Sequence, residues 1–248
     1  MEKIIIHIPH SSTVIPEEYR GLFFLNNDEL ADEILRMTDR YTDDLFGSFG
    51  HKIIFPISRL VCDVERFRSE KQESMTGKGM WVCYERTSDQ RTLKTVSVEH
   101  KKEILENWYD IHHKKLTLMS ERALRLCNQC LIVDAHSFPS KALSYENTRR
   151  NRPDICLGTD EYHTPTGLIR QCADLFSALG YRVAVNIPFA GCLIPMKYYR
   201  KDQRVAGIMI EINRSLYMDE NTGIKSEGYL TVKEDITAVL RDLIHFNT

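Results

Sequence analysis

Short apolar runs alternate with longer stretches of mixed polarity along the chain, and their spacing predicts strands interleaved with helices. Residues 3–8 read as a buried strand closed by Pro9. Across 28–46, Leu30, Ile34, Met37, Tyr41 and Leu45 recur every three or four positions, the period of one helix. Residues 52–55 give a second strand, and 60–64 a third. Between 66 and 95 the chain turns polar around Gly77 and Gly79, with one apolar island at 80–84. This stretch reads as a hairpin or mobile flap. The strongest helical period spans 97–126, carried by Leu105, Trp108, His112, Leu116 and Ala123.

Residues 130–134 form a buried strand. Thr164-Pro165 reads as an N-cap with proline at the first helical position, opening a helix that runs to Leu179 and stops at Gly180. Residues 181–186 and 207–212 read as strands. Thr231 and Glu234 have capping-box spacing for a last helix over 232–246. Such alternation argues for an α/β layered fold, expected as a single domain over 1–248.

Composition narrows the partners. Of 248 residues, 42% are apolar and 27% charged, enough for an ordinary core, and the net charge is −2 with both signs interspersed. No basic tract marks a nucleic-acid footprint. The opening apolar run is three residues long, so no signal peptide is expected, and no apolar stretch approaches the roughly 20 residues a membrane span needs. Seven scattered cysteines suit reduced thiols in a cytoplasm.

Three strand ends carry unusual polar groups. They are His10-Ser11-Ser12, Asp134-Ala-His136-Ser137 and Glu211-Ile-Asn213-Arg214. In α/β sheets ligands gather at the carboxyl ends of strands. Buried charges need partners, and a shared cation would reconcile all three. Zinc takes imidazole and carboxylate ligands and keeps one position open for water in catalytic sites. His10 and His136 are the candidate ligands, Glu211 the candidate base, and Asp134 a group that orients another ligand.

Simpler readings compete. A histidine after a strand is more often a surface or hydrogen-bonding residue, and Glu211 could pair with Arg214. His112 fits a satisfied core residue better than a ligand. Cys127-Asn-Gln-Cys130 has zinc-knuckle spacing without a second pair, so a helix end meeting a strand explains it better. Gly77-Lys-Gly79 is too short for a phosphate loop. Asp134, His136 and Ser137 are nearly consecutive and cannot converge as a triad, and no Gly-x-Ser-x-Gly elbow occurs. Cys62 and Cys192 are nucleophiles only in principle, since burial as a small hydrophobe is the better reading of Cys62.

Taken together, the sequence resembles the N-formylglutamate amidohydrolase family. The matching pieces are Pro9-His10-Ser11, the segment from Ser58 to Arg66, Gly77-Lys-Gly-Met-Trp81, Asp134-Ala-His136-Ser-Phe-Pro139, Asp154-Ile-Cys-Leu-Gly158, Asn186-Ile-Pro-Phe-Ala-Gly191 and Glu211-Ile-Asn-Arg214-Ser-Leu-Tyr217. They run in family order over most of the chain. The resemblance implies a central mixed, largely parallel sheet flanked by helices, as in zinc carboxypeptidases and aspartoacylases. It also implies zinc-dependent hydrolysis of a small N-acyl amino acid such as N-formylglutamate.

On this basis His10 and His136 are expected on Zn2+, with Asp63 as first choice and Asp39 as second choice for the third ligand. Glu211 is the expected general base. Arg66 is expected to grip a substrate carboxylate with Arg59 or Arg214, or the second arginine to steady the oxyanion instead; Asn186 and Tyr217 are further expected substrate contacts. The expected partner is a small carboxylate, with no nucleic acid and no membrane. Two positions depart from the family pattern: Ser12 stands where glycine is usual, and Glu65 where asparagine is frequent. A non-catalytic carboxylate-binding protein and a metallopeptidase on larger substrates are the alternatives.

Overall fold

The computed structural model describes residues 2–47, 50–146 and 152–246. In chain order the elements are β1 (Ile4–Ile8), α1 (Glu17–Arg20), α2 (Asn27–Met37), α3 (Thr42–Leu45), β2 (His51–Ile54), α4 (Val98–Ile104), α5 (Asp110–Cys127), β3 (Cys130–Phe138), β4 (Ile155–Gly158), α6 (Thr166–Ala178), β5 (Val183–Val185), β6 (Val205–Asn213) and α7 (Tyr229–Leu243). The strands form one sheet in the order β2-β1-β3-β6-β4-β5. β2, β1, β3 and β6 run parallel, while β4 is antiparallel to β6 and parallel to β5. This is the expected mixed, mostly parallel α/β sheet flanked by helices.

Strands β1, β3, β4 and β6 are buried at every position. Helices cover both faces, which is why the strands read as continuous apolar runs rather than alternating ones. Strand alternation still sorts their side chains. Ile4, Ile6 and Ile8 of β1, Leu131, Val133 and Ala135 of β3, and Ile208, Ile210 and Ile212 of β6 pack with α6 and α7. Ile5, Cys130, Ile132 and Val205 enter the opposite layer with Leu116 and Ala123 of α5. On that second face the in-register positions turn polar toward the strand carboxyl ends: His7, then Asp134 and His136, then Glu211. The chemistry therefore collects on one face at one end of the sheet.

Several elements differ from the sequence reading. The helix expected over 28–46 breaks after Met37: Thr38 is extended, Tyr41 has φ 69°, and a short turn, α3, resumes the helical spacing. Tyr41 and Leu45 kept the period across the break, which hid it. Asp39 sits in the gap, buried, its N–H donated to the His10 carbonyl. Residues 60–64 are not a strand but buried irregular chain. Strand β4 was missed because it is four residues long between polar flanks. The last helix starts at Tyr229 with Gly228 as N-cap, so Thr231 lies inside it and caps nothing. At α6 the N-cap is Pro165; Thr164 instead donates its hydroxyl to the Gly207 carbonyl.

The long helix of 97–126 forms as α4 and α5 joined by a π turn, Leu105–Tyr109. Cys127 ends α5 and Cys130 begins β3, as the helix-to-strand reading required. In the polar stretch, residues 80–84 are buried in a separate core cluster with Leu60, Val61 and Phe55. Arg86 and Thr92 bridge as a minimal antiparallel pair. Among the described residues no helix is long and apolar enough to cross a membrane.

Candidate active site

Two histidines and an aspartate meet at the carboxyl ends of β1 and β3. Asp39 Oδ2 lies 3.1 Å from His136 Nδ1 and 3.6 Å from His10 Nδ1. All three side chains are buried. The far nitrogen of each ring is already engaged: His10 Nε2 meets Asp63 Oδ1 at 2.8 Å, and His136 Nε2 meets Asp134 Oδ1 at 3.2 Å. With the ring hydrogen on Nε2, each histidine donates to its carboxylate and turns its Nδ1 lone pair toward the Asp39 oxygen. This is the arrangement of metal-binding histidines, whose outer nitrogen is tied to a carboxylate. His10 Nδ1 is buried and has no hydrogen-bond partner among the described residues. An orphaned buried atom of this kind calls for a missing ligand, and two imidazoles with one carboxylate suit zinc.

Asp39 is braced from behind. Arg214 Nη2 donates to Asp39 Oδ1 at 2.8 Å, its Nη1 to the Arg36 carbonyl, and its Nε to Ser137 Oγ. Burial opposes the Asp39 charge, but the two histidines and Arg214 outweigh it and hold its carboxyl well below the usual range. Glu211 is the opposite case. It is the register partner of His136, its Oε2 has no partner among the described residues, and burial, aided by the Asp39 charge, raises it to about 8.

Arg59 and Arg66 stand beside this group. Arg59 Nη2 donates to Asp63 Oδ2 at 2.9 Å and to Tyr84 Oη at 3.2 Å; Arg66 Nη2 donates to Tyr84 Oη at 3.2 Å. The Tyr84 hydroxyl in turn donates to Asp63 Oδ2. Asp63 thus anchors His10, both arginines and Tyr84, and although burial opposes its charge, Arg59, His10 and Arg66 hold it well below the usual carboxylate range. The buried Nε of each arginine makes no hydrogen bond among the described residues. A cavity of about 820 Å³ opens here, walled by His10, Asp39, Arg59, Arg66, His136 and Glu211, with Phe138, Tyr145 and Phe189 among its apolar residues.

A family model for N-formylglutamate amidohydrolase matches residues 2–218. The chain belongs to the N-formylglutamate amidohydrolase family. It is accordingly a hydrolase acting on a linear amide. Solved structures share the fold. An N-formylglutamate amidohydrolase from Ralstonia eutropha is 22% identical, with TM-score 0.84 over 98% of this chain and 93% of that one. A gene product from Agrobacterium tumefaciens is 16% identical, with TM-score 0.68 over 98% and 92%. No curated protein sequence matches the chain.

Within this family framework the expected site residues divide. His10, His136, Glu211, Arg59, Arg66 and Arg214 all line the cavity. Asp63, first choice as third ligand, lies on the Nε2 side of His10, and Asp39 occupies the Nδ1 side. Arg214 makes a hydrogen bond from each of its three nitrogens to Asp39, Arg36 or Ser137. Asn186 is a turn residue with φ 57°, its amide bonded to Thr159. Tyr217 donates its hydroxyl to the Arg40 carbonyl from within the core. Glu65 faces His7 at 3.2 Å. Ser12 donates to the Pro56 carbonyl, bridging the loops after β1 and β2.

Sequence reasoning missed Tyr84 and His7. Tyr84 lay in an island read only as part of a hairpin. His7 did carry a signal: a lone histidine in an isoleucine run must find a buried partner. That partner is Asp134, with Nδ1 at 2.8 Å. Burial opposes the His7 charge, but the adjacent Asp134 and Glu65 carboxylates outweigh it and raise it to about 9.

Proposed function

We propose that the chain is a zinc-dependent amidohydrolase that cleaves the amide of a small N-acyl amino acid bearing a carboxylate, with N-formylglutamate as the type substrate. The convergence of two Nδ1 atoms and one carboxylate oxygen, with both Nε2 atoms tied to aspartates, carries this reading. His10, Asp39 and His136 would hold the ion, a set that favours Asp39 over Asp63 as the third ligand. A zinc ion there would supply Lewis acidity to the amide carbonyl and to a water molecule.

The remaining chemistry falls to side chains. Glu211 accepts the proton of the attacking water and delivers it to the leaving amine. Its lack of another partner leaves it free to do both. Arg66 and Arg59 bind the substrate carboxylate through their outward donors; a planar guanidinium matches a carboxylate in two-point contact. Tyr84 and Asp63 hold those guanidiniums in place. Arg214 fixes Asp39 rather than touching substrate. Phe67, Met75 and Lys78, from the segment expected as a flap over 66–95, line the cavity, and closure of that segment over bound substrate would exclude water.

Chelator-treated protein tests the proposal. Hydrolysis of N-formylglutamate should vanish on chelation and return with one equivalent of zinc. N-formylglutamate should also be preferred over an N-formyl amine lacking carboxylates. Full activity in protein freed of all metal would refute the zinc reading.

A further inference from the structure

The opposite edge of the His136 ring faces a second set of donor atoms. His7 Nδ1 lies 2.8 Å from Asp134 Oδ1 and 3.2 Å from Glu65 Oε1. His136 Nε2 lies 3.2 Å from the same Asp134 oxygen and 3.9 Å from the same Glu65 oxygen. Tetrahedral bonds of about 2.0–2.2 Å place ligand atoms roughly 3.3–3.6 Å apart. The two spacings within the set His7, Asp134 and Glu65, 2.8 and 3.2 Å, fall just short of that range, so small outward shifts of the two carboxylates accommodate one ion.

Three observations mark these atoms as ligands and not merely an ion pair. Glu65 Oε1 is buried and makes no hydrogen bond among the described residues, because His7 directs its Nδ1 toward Asp134. A buried carboxylate oxygen without a donor is costly. Asp134 is oriented from behind: Leu193 N–H donates to its Oδ2 at 2.9 Å, leaving Oδ1 for the ion. His7 has an acceptor for the opposite tautomer, since His112 Nε2 lies 2.8 Å from His7 Nε2. With its hydrogen on Nε2 and bonded to His112, His7 presents a lone pair at Nδ1, the same outer-partner arrangement as in His10 and His136.

We propose that the chain binds a second divalent cation at His7, Asp134 and Glu65, with the His136 ring between the two centres. One imidazole and two carboxylates suit zinc or manganese. Glu65 lines the substrate cavity, so the ion's open side faces the substrate. Through Asp134, which meets His136 Nε2, it also sets the hydrogen bond that aims His136 at the first centre.

The proposal extends the metal reading above, and zinc titration of the chelated full-length chain separates the two. Calorimetry and metal analysis after dialysis should find two equivalents in the wild type. Glu65→Gln and Asp39→Asn should each retain one. Glu65 is partly exposed, so its variant should fold, and thermal unfolding of the chelated proteins checks this. Two equivalents in Glu65→Gln would overturn the second site. So would a single wild-type equivalent that survives Glu65→Gln and is lost in Asp39→Asn, leaving the first centre standing. A single equivalent lost only in Glu65→Gln would support this site and overturn the first.

Discussion

His136 and Glu211 are register partners on the adjacent parallel strands β3 and β6. A candidate ligand and a candidate base are thus set side by side by backbone pairing alone, on two buried strands at the centre of the sheet. Neither depends on a loop for its position. Sites built on strands hold geometry better than sites on loops.

That pairing gives the first expectation. Glu211→Gln keeps the shape and removes the proton carrier. Zinc stoichiometry should stay unchanged while kcat falls by roughly 10²–10⁴, the usual contribution of a positioned acid–base group. Unchanged turnover with normal metal binding would remove Glu211 from the chemistry.

Asp63 gives the second. It holds His10 Nε2 and is not expected on the ion. Asp63→Asn should still bind zinc, but about 10–100-fold more weakly, as expected when a ligand's orienting partner is weakened. Competition with a chelator of known affinity measures this. Complete loss of zinc, as for removal of a ligand, would return Asp63 to the coordination sphere.

Tyr84 separates binding from chemistry. Its hydroxyl joins Arg59, Arg66 and Asp63, so Tyr84→Phe should loosen both guanidiniums. KM for a carboxylate substrate is expected to rise several-fold with kcat little changed, because the reacting atoms lie at the histidines. A fall in kcat at constant KM would contradict the assignment.

Lys94 links the site to stability. It is fully buried, lies over the Phe23 ring, and donates to the Leu60 and Val61 carbonyls, steadying the loop that carries Arg59 and Asp63. Burial lowers it from 10.5 to about 8. Between those values the unfolded chain binds the extra proton, so the Lys94 contribution to stability should rise with pH from about 8 to 10.5. Its full span is on the order of 3 kcal/mol. Urea unfolding of wild type and Lys94→Met across this window isolates it; parallel pH profiles would show that Lys94 titrates normally.

The legible and illegible parts of the molecule differ for physical reasons. His10, His136 and Glu211, which the fold brings to one cavity, could be singled out as candidates because polar residues that end or interrupt buried strands are expensive and therefore informative. Asp39 was harder. It lies in a break whose flanking residues keep helical spacing, and it ranked behind Asp63 because nothing in a linear pattern tells which nitrogen of His10 a carboxylate will face. Arg214 and Tyr217 shared the family motif with Glu211, yet the fold turns one onto Asp39 and the other into the core. Tyr84 is brought to Asp63 by packing of irregular chain, which no periodicity announces. Strand β4 escaped because four apolar residues are too few to show a period.

In the proposed centre one ion sits on the Nδ1 side of both histidines. Anomalous diffraction from zinc-loaded crystals tests it most directly. A peak is expected about 2.0–2.2 Å from His10 Nδ1, His136 Nδ1 and an Asp39 oxygen, with Asp63 and Asp134 on the outer nitrogens. A peak bound through His10 Nε2 and Asp63, with Asp39 left to Arg214, would contradict it.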